Sequence, residues 1–178
     1  MVCPITLSSR KAPCPSQGGV PSMLLIDKSA RITAGVTAVV ASGVVTFADT
    51  GGLAFEVIPN QNKTTFSQPI TASTDDNTFS FVQTLETFFS GIDPSGSVLI
   101  ESITKGVMEI AIQQMDGTWL YSGLEVRGMR VTGGDGGNSG AGINDQSGFS
   151  LTITGESTTL APKFDYANFL TSFTVTAA

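Results

Sequence analysis

Residues 78–88 alternate by a period of two: Phe79, Phe81, Gln83 and Leu85 fall on one side, Ser80, Val82, Thr84 and Glu86 on the other. That period belongs to a β-strand with one face against a core. At ~3.3 Å per residue the run covers about 36 Å, long enough to reach beyond one compact sandwich. A second run repeats the pattern at 149–156, with Phe149, Leu151 and Ile153 opposed by Ser150, Thr152, Thr154 and Glu156. Ahead of it, residues 124–132 read as a further strand. The two are joined by residues 133–147, which hold no large side chain except Ile143.

The rest of the chain follows the same logic. Residues 1–22 contain Pro4, Pro13, Pro15 and Pro21 and read as an extended arm. A first strand is expected at 23–27. Residues 33–47, rich in Val and Ala, fit either strands broken at Gly43 or a short helix. Residues 53–58 alternate and stop at Pro59, and 63–70 read as a strand whose Pro69 marks a sheet edge. Asp93 and Pro94 are suited to the N-cap and first position of a helix over 94–105. Val98, Leu99 and Ile103 form its apolar stripe, Glu101 and Lys105 an i, i+4 pair, and Gly106 its stop. Asp116-Gly117 turns a hairpin between 107–114 and 118–122, with Trp119 and Tyr121 on one face. Residues 157–178, carrying Phe164, Tyr166, Phe169 and Phe173, read as a docking tail for this subunit or the next. The expected fold is mainly β: a sandwich or barrel over 23–156 with one short helix.

Composition narrows the function. Of 178 residues, 40% are apolar and only 13% charged, about half the usual charged share. Hydroxyl, amide and glycine residues, or other subunits, must therefore cover the surface. The net charge is −6 and no basic cluster exceeds Arg10-Lys11, which argues against a grip on nucleic acid by counterion release. No basic-then-apolar leader is visible, and no run approaches ~18 apolar residues, so the expectation is synthesis in a cytoplasm with no membrane partner.

The chain has no histidine, which removes the commonest general base and the usual Ser-His and Cys-His pairs. Cys3 and Cys14 fit a small disulfide loop or two free thiols; two cysteines without histidine argue against a structural zinc. The acidic pair Asp75 and Asp76 reads as turn chemistry; an enzyme would need one of them close to Glu86. The glycines of 133–142 lack a Gly-Lys-Ser/Thr ending, and Ser139 takes the place of the last glycine of a dinucleotide fingerprint. The reading is a non-enzyme with no cofactor and no metal, and 133–147 as an interaction loop. Its contact candidates are Asp135, Asn138, Ile143, Asn144 and Asp145.

The order of long strand, short helix, Asp-Gly hairpin, Gly123-Leu124-Glu125-Val126, glycine loop and Gly148-Phe149-Ser150-Leu151-Thr152-Ile153-Thr154-Gly155-Glu156 resembles the major tail tube proteins of tailed bacteriophages. The likeness covers about residues 78–160; the cysteine-bearing arm and the aromatic tail depart from it. The resemblance implies stacked, hexameric rings of one protein, located in the virion tail, with neighbouring tail or neck proteins as further partners. Double-stranded DNA would be non-specific cargo passing through an acidic lumen. Candidate lumen residues are the polar sides of the alternating strands: Ser80, Thr84, Glu86, Glu109, Gln113, Ser150, Thr152, Thr154 and Glu156. A head–tail connector ring, a head decoration protein and a carbohydrate-binding or adhesive sandwich are the other readings.

Overall fold

The computed structural model describes residues 19–73, 78–91, 94–125, 127–139 and 147–177. Cys3, Cys14, Asp75, Asp76, Asp93, Val126, Ile143, Asn144 and Asp145 lie outside the described residues. Strands make up 54% and helices 18%, in two sheets with three helices, so the fold is mainly β. The chain runs through β1 (Met23–Asp27), α1 (Lys28–Thr33), β2 (Thr37–Ala41), β3 (Val44–Ala48), β4 (Gly52–Val57), a 3₁₀ turn (Gln61–Lys63), β5 (Thr65–Ser67) and β6 (Ile70–Ser73). It continues with β7 (Thr78–Ser90), α2 (Pro94–Lys105), β8 (Met108–Gln113), β9 (Trp119–Ser122), β10 (Arg130–Asn138), β11 (Gly148–Ser157), β12 (Lys163–Phe164), α3 (Tyr166–Ser172) and β13 (Phe173–Ala177).

The larger sheet has the order β13-β4-β1-β8-β9-β12-β3-β2 and the smaller one β10-β11-β7-β5, with β6 also paired to β7. A first core lies between them. Met23, Leu25, Ile110 and Ile112 of the larger sheet meet Leu85, Phe149, Leu151 and Ile153 of the smaller, and α2 closes one end with Ile100 and Ile103. Val98, placed in that helix's apolar stripe by its spacing, faces outward instead.

A second core lies on the other face of the larger sheet, which explains why β1 is apolar on both sides. Phe47 of β3 and Phe173 of β13 stand towards opposite ends of the strand order, yet their ring centroids are 5.0 Å apart. The sheet is therefore rolled into an incomplete barrel around this core. Helix α3 plugs the gap. Asp165 caps it by accepting from the Ala167 and Asn168 amides, Asn168 Oδ1 accepts from the Phe47 amide at 2.8 Å, and the fully buried Phe169 stacks on Phe173. Burying a phenylalanine in this way is worth about 1.5–3 kcal/mol.

Several expectations change. The tail is not an appendage: β12 and β13 are strands of the larger sheet, and its aromatic residues build the second core. Two helices besides α2 are present, six and seven residues long, too short for a 3.6 period to register. Of the two readings of 33–47, strands hold, turning at Ser42 and Gly43. The strand expected over 63–70 is two short ones, because Pro69 cannot continue the ladder. The strand expected over 124–132 begins only at Arg130. Gly123 (φ +87°) and Gly128 (φ +60°) bend the chain from one sheet to the other. A Cβ at Gly123 would come within 2.8 Å of the Met108 carbonyl oxygen. Finally, residues 133–138 are not loop but glycine-rich strand, irregular between Val131 and Gly133 and again between Asp135 and Asn138.

Candidate functional site

Seven of the nine candidate lumen residues come together. Antiparallel register sets Thr84 of β7 opposite Thr154 of β11, and Glu86 opposite Thr152. Because directly opposed residues share a face, Ser80, Thr84, Glu86, Ser150, Thr152, Thr154 and Glu156 all lie on the outer face of the smaller sheet. Neighbouring strands extend it: Ser67 opposes Thr84 and Thr65 opposes Glu86 on one side, and Arg130 opposes Thr154 on the other. The hydroxyls bond laterally. Thr154 Oγ1 donates to Thr132 Oγ1 at 3.3 Å, and Ser150 Oγ accepts from the Asp135 amide at 2.9 Å.

The charges on this face nearly balance. Glu86, Glu156 and Asp135 share it with Arg130; Arg127 reaches Glu156 at 3.6 Å, and the Lys63 ammonium sits 4.6 Å above the Phe88 ring. Among the described residues the surface is rich in hydroxyls rather than strongly acidic. Its edges are open: β10 on one side, β5 and β6 on the other, have no further strand within the chain's described residues. Of the loop candidates, Asp135 and Asn138 belong to the β10 edge.

Glu109 and Gln113 do not join this face. Both are on β8 of the larger sheet, and Glu109 is completely buried. Alternation placed Glu109 opposite Met108 and Ile110 correctly, but the side to which it points is the second core, not solvent. There it meets two cations from α1. Arg31 donates Nε to Oε2 at 2.6 Å and Nη2 to Oε1 at 2.9 Å. Tyr121 donates its hydroxyl to Oε2 at 2.8 Å, and the Lys28 ammonium stands 3.4 Å from Oε1. Arg31 also donates Nη1 to the Val36 carbonyl. Lys28 donates to the carbonyls of Gly123, Leu124 and Glu125.

Local sequence puts these cations in place. Asp27 caps α1, its Oδ1 accepting from the Ser29 and Ala30 amides, and the three-residue spacing puts Lys28 and Arg31 on one face of the helix. Burial pulls the Arg31 guanidinium down, but the hydrogen bonds and charge of Glu109 outweigh it and leave Arg31 above its ordinary value. Burial holds the Tyr121 hydroxyl well above the ordinary tyrosine range, and the charge and hydrogen bond of Glu109 add to that. The polar groups in this network are engaged with one another, so it ties parts together and offers no free acid or base. Its clearest product is the placement of residues 123–125, which lead the chain away from β9. Gln83 of β7 steadies the same path, accepting from Ser122 Oγ at 2.6 Å and the Gly123 amide at 3.2 Å.

Sequence reasoning missed Lys28 and Arg31. The signal available was Asp27 followed by basic residues three apart, a helix start too short to show amphipathicity. Among the described residues no group of three His, Cys, Asp or Glu side chains could hold a metal ion. No helix there is long and apolar enough to cross a membrane. No protein-family model, curated protein or solved structure matches the chain.

Proposed function

We propose that this chain is a virion structural protein of the tail tube type, which assembles with copies of itself into stacked rings around a passage for DNA. One observation carries the reading: a small sheet whose outer face is rich in hydroxyls and whose two edges are open among the described residues. An open edge is a template for another strand, and closing a ring removes it. A lumen lined by hydroxyls and nearly balanced charge would not hold the phosphate backbone by counterion release, so DNA would slide through it. The function is thus structural, with the virion tail as its place and other tail or neck proteins as neighbours.

Negative-stain electron microscopy across a concentration series tests this. Rings with a central hole, or tubes, are the expected result. Monodisperse particles of monomer mass at every concentration would overturn it in favour of a decoration or adhesive module. Rings that never stack would favour a connector.

A further inference from the structure

β2 ends the larger sheet on one side, and solvent reaches both of its faces. Thr37, Val39, Val40 and Ala41 are exposed and Ala38 is half-buried; Val39 and Val40, on opposite faces, are each 52% exposed. A sheet edge is normally guarded by a charge, a proline, a bulge or a covering element. Among the described residues β2 has none of these. Between Arg31 and Asp49 there is no charged residue and no proline. The register with β3 runs without a shift from Thr37 opposite Ala48 to Ala41 opposite Val44. A two-residue turn with positive φ at both Ser42 and Gly43 suits the twist of the strands and holds the hairpin in that register.

The open backbone groups of this edge can be counted. The Phe47 amide donates to Asn168 Oδ1, and the Phe47 carbonyl accepts from Ser172 Oγ at 3.5 Å, so both point away from β2. In an antiparallel pair such a residue lies opposite one that also turns its amide and carbonyl outward. Ala38, opposite Phe47, and Val40, opposite Val45, therefore present N–H and C=O to the open side. The edge stops at both ends. Val36 donates its amide to the Arg31 carbonyl at 3.2 Å and accepts Arg31 Nη1 on its own carbonyl at 2.6 Å. At Ser42 the chain turns back. What remains is one donor and one acceptor on each of two residues, placed symmetrically about Val39.

We infer that β2 pairs antiparallel with β2 of a second copy about a two-fold axis through Val39, which joins two larger sheets into one. Under that axis Ala38 opposes the partner's Val40, and Val40 the partner's Ala38. Each of these pairs exchanges both of its hydrogen bonds, so every open group of the edge is satisfied. The side chains agree with this register. Val39 meets the partner's Val39 in the close, non-hydrogen-bonded position, and small Ala38 lies against larger Val40. The occupant is a second copy because the edge presents the pattern that it requires, in length, in parity and in symmetry. Like charges are the usual obstacle to an edge meeting its own copy, and this strand carries none; the two-fold also sets the two Asp49 side chains at opposite ends of the pair.

Five residues a side cover far less than the ~800 Å² that one partner buries in a stable pair, so the contact is weak and reversible in free solution. It uses neither edge of the smaller sheet and goes beyond the ring-forming reading. A two-fold contact closes on itself, so it links copies or rings in pairs and does not extend them.

Disulfide trapping in the full chain, with Cys3 and Cys14 replaced by serine, tests the inference. Residues opposed in a non-hydrogen-bonded pair stand ~4.5 Å apart at Cα, within the ~4.4–6.8 Å that a disulfide spans. V39C is expected to give a covalent dimer on mild oxidation at high micromolar concentration. T37C would lie ~14 Å from its own copy, four residues away at ~3.4 Å each, and is expected to yield at least tenfold less. T37C mixed with A41C is expected to cross-link as V39C does. A38P removes an outward N–H and no bond to β3; added to V39C, it is expected to lower the yield at least tenfold. Thermal melts check that each variant folds, and V40K replaces A38P if that one does not. V39C that stays monomeric overturns the inference. So does T37C that cross-links as readily as V39C, or a V39C yield that A38P or V40K leaves unchanged. Cross-linked V39C in preparations that never form rings would leave this contact standing and remove the ring-forming function; rings without the cross-link would do the reverse.

Discussion

The larger sheet buries a cluster of ionised groups, whereas the smaller sheet, apart from the buried Thr87 and Ser157, turns a row of hydroxyls outward. Glu109, Lys28 and Arg31 sit within the rolled larger sheet beside a cluster of aromatic rings, every carboxylate oxygen matched by donors. On the smaller sheet Thr84, Thr152 and Thr154 form an outer layer in which Thr154 bonds the hydroxyl of Thr132 on the next strand. The first arrangement fixes one conformation, because a buried charge that loses its partner is costly. The second leaves a surface whose composition the monomer hardly feels. The molecule thus separates a part that specifies its fold from a part available to other molecules.

The strongest way to break this contrast is Glu109→Gln, which leaves Lys28 and Arg31 short of their counter-charge. The expected loss is about 3–5 kcal/mol in urea unfolding. Replacing Lys28, Arg31 and Glu109 together by apolar residues of similar volume is expected to cost less than that single change. Phe169→Ala comes next, at about 3–4 kcal/mol by thermal or urea unfolding, since α3 is the plug of the second core.

Tyr121→Phe sharpens the contrast further. It removes one hydrogen bond to a buried carboxylate and is expected to cost about 1.5–3 kcal/mol at neutral pH. It also has a pH signature. The hydroxyl is held above its ordinary value in the folded protein. Its contribution is therefore complete below pH ~10, where both states keep the proton. Above that the unfolded chain gives up the proton while the folded one retains it, and stability falls by about 1.4 kcal/mol per pH unit. Urea midpoints between pH 9 and 11 are expected to show a smaller decline for Tyr121→Phe than for the wild type.

The smallest effect is expected on the outer face, where Thr84→Ala or Thr152→Val changes monomer stability by no more than about 0.5 kcal/mol. A loss above 1 kcal/mol in the same unfolding measurement would show that this face is packed within the monomer and would dissolve the contrast.

The legible parts of the sequence were those in which one strand meets one core. β7, β11 and the β8–β9 hairpin follow alternation and turn chemistry, and seven outer-face residues follow directly from that. Glu109 was misread because β8 is buried on both sides: the period was right, but a polar residue opposite an apolar row was taken to face water. Nothing local to β8 shows that Lys28 and Arg31, far away in the chain, will meet that carboxylate. The glycines of 133–138 misled in the opposite way. Composition read them as loop, whereas pairing with β11 holds the backbone extended whatever its propensity. The exposure of Phe79 leaves no local trace at all, since by alternation it is as much an inner-face residue as the buried Leu85.

The parallel pairing of β4 with β13 has a consequence for synthesis. Gly52 waits for Phe173 and Phe55 for Thr176. At ~5–20 residues per second, a ribosome delivers the partner roughly ten seconds after β4 has emerged. Throughout that interval the edge of β4 and the ring of Phe47 lack their final cover. The barrel therefore cannot close until the last residues of the chain have been made, so its completion is tied to the end of synthesis rather than to its beginning.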